Sequence, residues 1–200
     1  MTLPRRSLIH LSLAVASLAA ALGAHKTLTS LMSLHMLVQL PLLVIAGFTA
    51  EHAWYSRQGA SACSERRQIS YTAWSCNEYG LPGLLLVSLI GTAWMIPKSL
   101  DDALTDWRMA VFKYVGLPVC GWVLGASLRR APKVITLFFL GNFSWMSAIA
   151  GMIYLDLPVR LCNAYLQDDQ YFTGHGLIAL AVVLPVVWLI AARKTLRSRM

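Results

Sequence analysis

Residues 134–155 read VITLFFLGNFSWMSAIAGMIYL. No charged side chain interrupts the run. At about 1.5 Å per residue, a helix of this length is about 33 Å long. The hydrocarbon core of a bilayer is about 30 Å thick, so the segment is long enough to cross it. Backbone groups in lipid find no water, so a crossing segment is a helix or a strand of a closed barrel. The apolar residues here are continuous rather than alternating, which selects the helix.

Similar runs lie on both sides of this one. Upstream they cover about 8–24, 34–50, 81–96 and 111–128; downstream one covers about 175–192. Pro97 ends the third, while Pro118 and Pro185 lie inside the fourth and sixth. Internal prolines are tolerated in membrane helices because neighbouring groups take up the freed carbonyl. Of the 200 residues, 57% are hydrophobic and 13% charged, and the mean hydropathy is +0.58. Too little charge remains to cover a soluble domain. The longest polar stretch, 51–79, connects two spans. The expected fold is all-α, a single membrane domain over 1–200 built as an integral bundle of about six transmembrane helices.

The net charge of +8 belongs to topology. With the N-terminus inside, the inner segments carry Arg5, Arg6, Arg57, Arg66, Arg67, Arg129, Arg130, Lys133, Arg193, Lys194, Arg197 and Arg199. The outer segments carry only Lys26, Lys98, Arg108, Lys113 and Arg160. Cytoplasmic loops are enriched in Lys and Arg, so both termini are expected on the cytoplasmic side. No basic, aromatic-bearing domain of the kind that binds nucleic acid is visible. Arg5 and Arg6 followed by an Ala-rich core also describe a signal peptide, and a cleaved 1–24 leaves the remaining topology unchanged. The cysteines Cys63, Cys76, Cys120 and Cys162 form no CxxC pair. Cys63 and Cys76 share a loop that this topology keeps in a reducing compartment, against a disulfide.

The same topology sorts the polar residues by face. His25, Met32, His35, Met36, Asp101, Cys162, Asp168, Asp169 and His175 fall at the outer side, His10 and His52 at the inner. His35 and Met36 open the second span and His175 opens the sixth, which puts the two imidazoles at similar depth. Met32 precedes His35 by about one helical turn. Imidazole and thioether together are ligands for copper, and thioether selects Cu(I). A carboxylate such as Asp169 could orient one of the imidazoles. The plainer reading of the same residues is histidine at the membrane interface and methionine as apolar filler. Inside the spans, Gln39 lies one turn below His35; Lys113 and Tyr114 lie near the outer end of the fourth span, and Asn142, Ser144 and Ser147 in the fifth. No GxSxG, Walker loop, HExxH or GxGxxG occurs, so no enzyme is expected.

Two stretches resemble one family. The run Ser33-Leu34-His35-Met36-Leu37-Val38-Gln39-Leu40-Pro41 is similar to the His-Met helix of the CtaG-type (caa3-type) cytochrome c oxidase assembly factors. The run Asp168-Asp169-Gln170-Tyr171-Phe172-Thr173-Gly174-His175-Gly176 resembles that family's late Asp-Gln and glycine motif, which also opens a transmembrane helix. Gln39 stands where family members often carry a second histidine, and His175 separates the glycine pair. The resemblance implies a multi-span protein of the bacterial inner membrane that handles copper at the outer face for a respiratory cytochrome c oxidase. Its partners would be an oxidase subunit or a periplasmic copper chaperone. The metal residues it points to are His35, Met36 and Asp169, joined by His175, Met32 and His25.

Two other readings compete. A b-type cytochrome would hold haem between histidines at matched depth, His35 with His175 and His10 with His52. An accessory membrane subunit or small transporter needs neither metal nor haem, although no internal repeat of the transporter kind is visible.

Overall fold

A computed structural model describes residues 5–60, 77 and 79–197. Cys63 and Cys76 lie outside the described residues. Every regular element among the described residues is helical. Helices α1 (Arg5–Gly23) and α2 (His25–Leu28) are followed by α3 (Met32–Leu34), which runs through a π-helical turn, His35–Gln39, into α4 (Leu40–Ala60). Next come α5 (Leu81–Trp94), α6 (Pro97–Thr105) and α7 (Trp107–Val111). A second π-helical turn, Phe112–Gly116, leads into α8 (Leu117–Arg130). The chain closes with α9 (Lys133–Asp156) and α10 (Gln167–Arg197).

Four helices are long and apolar enough to cross a membrane: Met32–Arg57, Trp107–Arg130, Lys133–Asp156 and Gln167–Ala192. The third expected span is instead a bent pair. α5 turns into α6 by 78°, and the two make a fifth crossing if taken as one span. The first expected span is a shorter apolar helix, Ser7–Gly23.

Proline accounts for the irregular places. Pro97 opens α6 after Ile96 takes an extended conformation, because a residue before proline is driven out of the helical region. Side chains take several of the carbonyls at the bend. The Tyr154 hydroxyl donates to Met95 O at 2.6 Å, Ser99 Oγ to Ala93 O at 2.8 Å and Cys162 Sγ to Pro97 O at 3.4 Å. Pro41 and Pro118 each sit two residues past a π turn. A proline in a helix clashes with the carbonyl four residues back. The widened turn is where that carbonyl lies.

α1 runs antiparallel to α3–α4. The hydroxyl of Ser7 meets Ala53 O at one end, and the Gln39 amide donates to Ala21 O at the other. α4 and α8 touch backbone to backbone. A Cβ on Gly47 would lie 1.8 Å from the Pro118 carbonyl oxygen, and one on Gly121 would lie 2.0 Å from that of Val44. Small residues are what permits such an approach between helices in lipid. Gly151 of α9 and Gly174 of α10 make the corresponding crossing on the other side of the bundle.

The bundle therefore has two polar ends. At one, Glu51 is buried against Arg129, with His52 Nδ1 3.3 Å from the same carboxylate oxygen. Asn77 donates to Ser127 Oγ at 2.9 Å close by. The other end holds His25, His35, Lys113, Tyr114, Tyr165 and Asp169.

Candidate functional site

The second end is assembled by the two π turns. π-helical turns insert one residue into a helix and are frequent at functional sites. One turn carries His35 and Gln39, the other Lys113 and Tyr114. His35, Gln39 and Lys113 are completely buried. Lys113 Nζ lies 3.0 Å from His35 Nε2 and 3.0 Å from Gln39 Oε1. It also sits over the Tyr114 ring, 4.7 Å from the centroid, a position that attracts a cation. Among the described residues no carboxylate comes within ion-pair distance of it.

Lysine nitrogen has only protons to offer, so the chain of bonds acquires a direction. Lys113 donates to His35 Nε2. The proton of the neutral ring is then on Nδ1, 2.7 Å from the Tyr165 hydroxyl, to which it is donated. On the other branch Lys113 donates to Gln39 Oε1. The Gln39 amide nitrogen donates to Tyr114 Oη at 3.2 Å, and that hydroxyl donates to His25 Nδ1 at 2.6 Å. His25 lies between α1 and α3. Its partial burial, and then the ammonium groups of Lys113 and Lys26, push its imidazole below the ordinary value.

Tyr165 reaches His35 from the 157–166 loop, which is tied down at many points. Arg160 donates to Tyr165 O at 2.9 Å and to Asn163 O at 3.2 Å. Asp101 of α6 accepts from Asn163 N at 2.8 Å. Gln170 accepts from Leu161 N at 3.0 Å and donates to Tyr154 O at 3.0 Å. Burial first, then the carboxylates of Asp101 and Asp169 with Cys162, raises Tyr165 well above a usual phenol. Burial and Asp101 push the Cys162 thiol up to about 12. Both groups stay protonated at neutral pH.

Asp169 serves a different purpose from the one expected of it. Its carboxylate accepts the N–H of Met32, the N–H of Ser33 and, at 2.6 Å, the Ser33 hydroxyl. It caps the N-terminus of α3 from another helix, where the orphan N–H groups favour an anion.

The expected metal residues are therefore brought together in part. Met32, Met36 and His35 are buried at one end of the same helix, with His25 one hydrogen-bond branch away. His175 does not join them. It is exposed, and its Nδ1 lies 2.9 Å from the Tyr171 carbonyl of its own helix. Among the described residues no three His, Cys, Asp or Glu side chains converge as a metal site would require. The outer haem pair is thus separated. His10 and His52 are neighbours, with ring centroids 5.8 Å apart. They sit on helices in direct contact, with Ser7 on the Ala53 carbonyl at 3.3 Å, so no slot for a macrocycle opens between them.

Tyr165 is the member that the sequence reading passes over. It lies in a loop, where no helical periodicity could have pointed to it. No protein-family model, curated protein or solved structure matches the chain.

Proposed function

We propose that the chain is a six-crossing protein of the bacterial inner membrane, with both termini cytoplasmic, that serves the maturation of a copper-containing cytochrome c oxidase. The observation that carries this reading is the capping of Met32 and Ser33 by Asp169, 137 residues away. Through it the two stretches that resemble the CtaG-type factors become one body, with His35 and Tyr165 at its centre. The orientation draws on the end that holds Ser7, Arg57, Glu51 and Arg129, where among the described residues Arg5, Arg130 and Lys133 also stand at the helix ends. Ser7–Gly23 and the bent α5–α6 pair complete the six crossings.

Copper is cargo in this reading. The donor set as arranged does not fit a resident copper ion. Both nitrogens of His35 are bonded, and one faces an ammonium at 3.0 Å, which repels a cation at close range. The part left for this chain is to hold an oxidase subunit or a periplasmic copper chaperone at the outer face while that partner carries the metal.

Two measurements test it. In a strain lacking the gene, the purified oxidase should keep its haem and lose copper, and wild-type protein should restore the copper. Full copper in that strain sinks the proposal. The purified protein, reconstituted with Cu(I) and analysed for metals, should hold far less than one copper per chain. One copper lost in both His35→Ala and His175→Ala would return the cargo to this chain's own donors. Iron with a Soret band would make it a b-type cytochrome.

A further inference from the structure

α9 turns one face outward along its whole length. Val134, Phe138 and Trp145 on it are 79%, 68% and 66% exposed. Gly141 and Asn142 lie between them, also exposed. A Cβ added to Gly141 would meet nothing within 4 Å. Asn142 is 9 residues from one end of the 24-residue helix and 14 from the other, which puts its amide near mid-depth of a span. The outward face of α10 is a useful contrast. It presents Val182, Val183, Val186, Val187 and Ile190 and reads as ordinary lipid-facing surface.

An amide at mid-depth has no partner in acyl chains, and leaving one unbonded in hydrocarbon is costly. Three hydroxyls inside the spans, those of Thr49, Thr92 and Ser147, avoid this by bonding their own helix, while Ser144 Oγ of α9 is buried without a partner among the described residues. The Asn142 amide has no hydrogen bond among the described residues. Its chemistry selects its partner. An amide carries a donor and an acceptor and so complements a copy of itself. Two copies inserted in the same orientation put residue 142 at the same depth, and a two-fold axis along the membrane normal brings the two amides together. A different protein would have to supply an amide at the matching depth. Gly141, one residue away, lets the two backbones approach.

We infer that this face of α9 is a homodimer interface, in which Asn142 of each copy exchanges hydrogen bonds with Asn142 of the other across Gly141. The experiment uses the full chain in mild detergent and in lipid vesicles. Light scattering should find a dimer, and Asn142→Leu should weaken dimerisation roughly tenfold, as the loss of one or two interhelical hydrogen bonds does. Asn142→Leu places an apolar residue on a lipid-compatible surface, so folding should persist. Asn142→Cys, in a chain whose four native cysteines are alanine, should cross-link copy to copy on oxidation, while Phe172→Cys on the exposed face of α10 should not. A monomeric wild-type protein, a dimer indifferent to Asn142→Leu, or cross-linking of Asn142→Cys to other proteins alone overturns the inference.

Discussion

The carboxylate of Asp169 closes the N-terminus of the helix that carries His35, accepting the backbone N–H groups of Met32 and Ser33 together with the Ser33 hydroxyl. A helix-capping group usually comes from the chain just before the helix. Here it comes from α10, so one contact both terminates α3 and fixes where α10 begins.

Asp169→Ala is expected to cost about 1–2 kcal/mol, the usual worth of a cap. Ser33→Ala, which leaves both backbone bonds in place, should cost less. Thermal unfolding in detergent separates the two; equal losses would mean that the hydroxyl alone matters.

Tyr165→Phe leaves the Nδ1 proton of His35 buried without an acceptor. An unmet buried donor costs about 1–3 kcal/mol. The change should lower the melting temperature without altering helix content by circular dichroism. An unchanged melting temperature would show that the imidazole proton has another acceptor.

Lys113→Met removes the ammonium that occupies His35 Nε2. His35, Met32 and Met36 then become available donors, and Cu(I) uptake by the purified variant should exceed that of the wild type. Equal uptake would mean that Lys113 does not keep copper out.

His25 gives a pH dependence of definite sign. Its folded value lies below the ordinary 6.5, so folding favours the neutral ring. The stability this contributes is present above pH 6.5 and is lost as pH falls below it towards the folded value. His25→Gln removes the dependence. The difference between variant and wild type, followed from pH 8 down to 5, should grow only in the acid limb.

Gly121→Leu drives a side chain into the Val44 carbonyl. Backbone cannot yield as a flexible side chain can, so the loss should reach or exceed the ~1–3 kcal/mol usual for overpacking. Gly23→Leu, which meets open space, should leave stability nearly unchanged and serves as the control.

The helical bundle was legible in the sequence because length and apolarity alone decide whether a segment can cross a bilayer. The apolar runs at 111–128, 134–155 and 175–192 lie within long helices. The 34–50 run proved to be part of a longer one, Met32–Arg57. That Lys113 lies near the same end of the bundle as His25 and His35 was legible too; nothing in a linear reading says that its side chain turns inward. His175 fails to reach His35 for a related reason. Periodicity gives the depth of a residue along a span, whereas the azimuth depends on how the helices pack around Gly151 and Gly174. Tyr165 lies in a connection without periodicity, and only the bonds of Arg160, Asp101 and Gln170 fix its place.

The two π turns set the phase of everything that precedes them. Each holds one residue beyond a regular helix, and each residue of an α-helix advances the chain by about 100°. Deleting Val38 would remove the surplus residue and narrow the turn to α-helical pitch, save for the bond that Pro41, having no N–H, cannot make. Relative to α4, it would swing Met32, Ser33 and His35 by that angle around the axis. His35 would leave Lys113 and Tyr165 together, and Ser33 would leave Asp169. The surplus residue is thus a phase setting shared by the cap and the cluster, and neither can be retuned without the other.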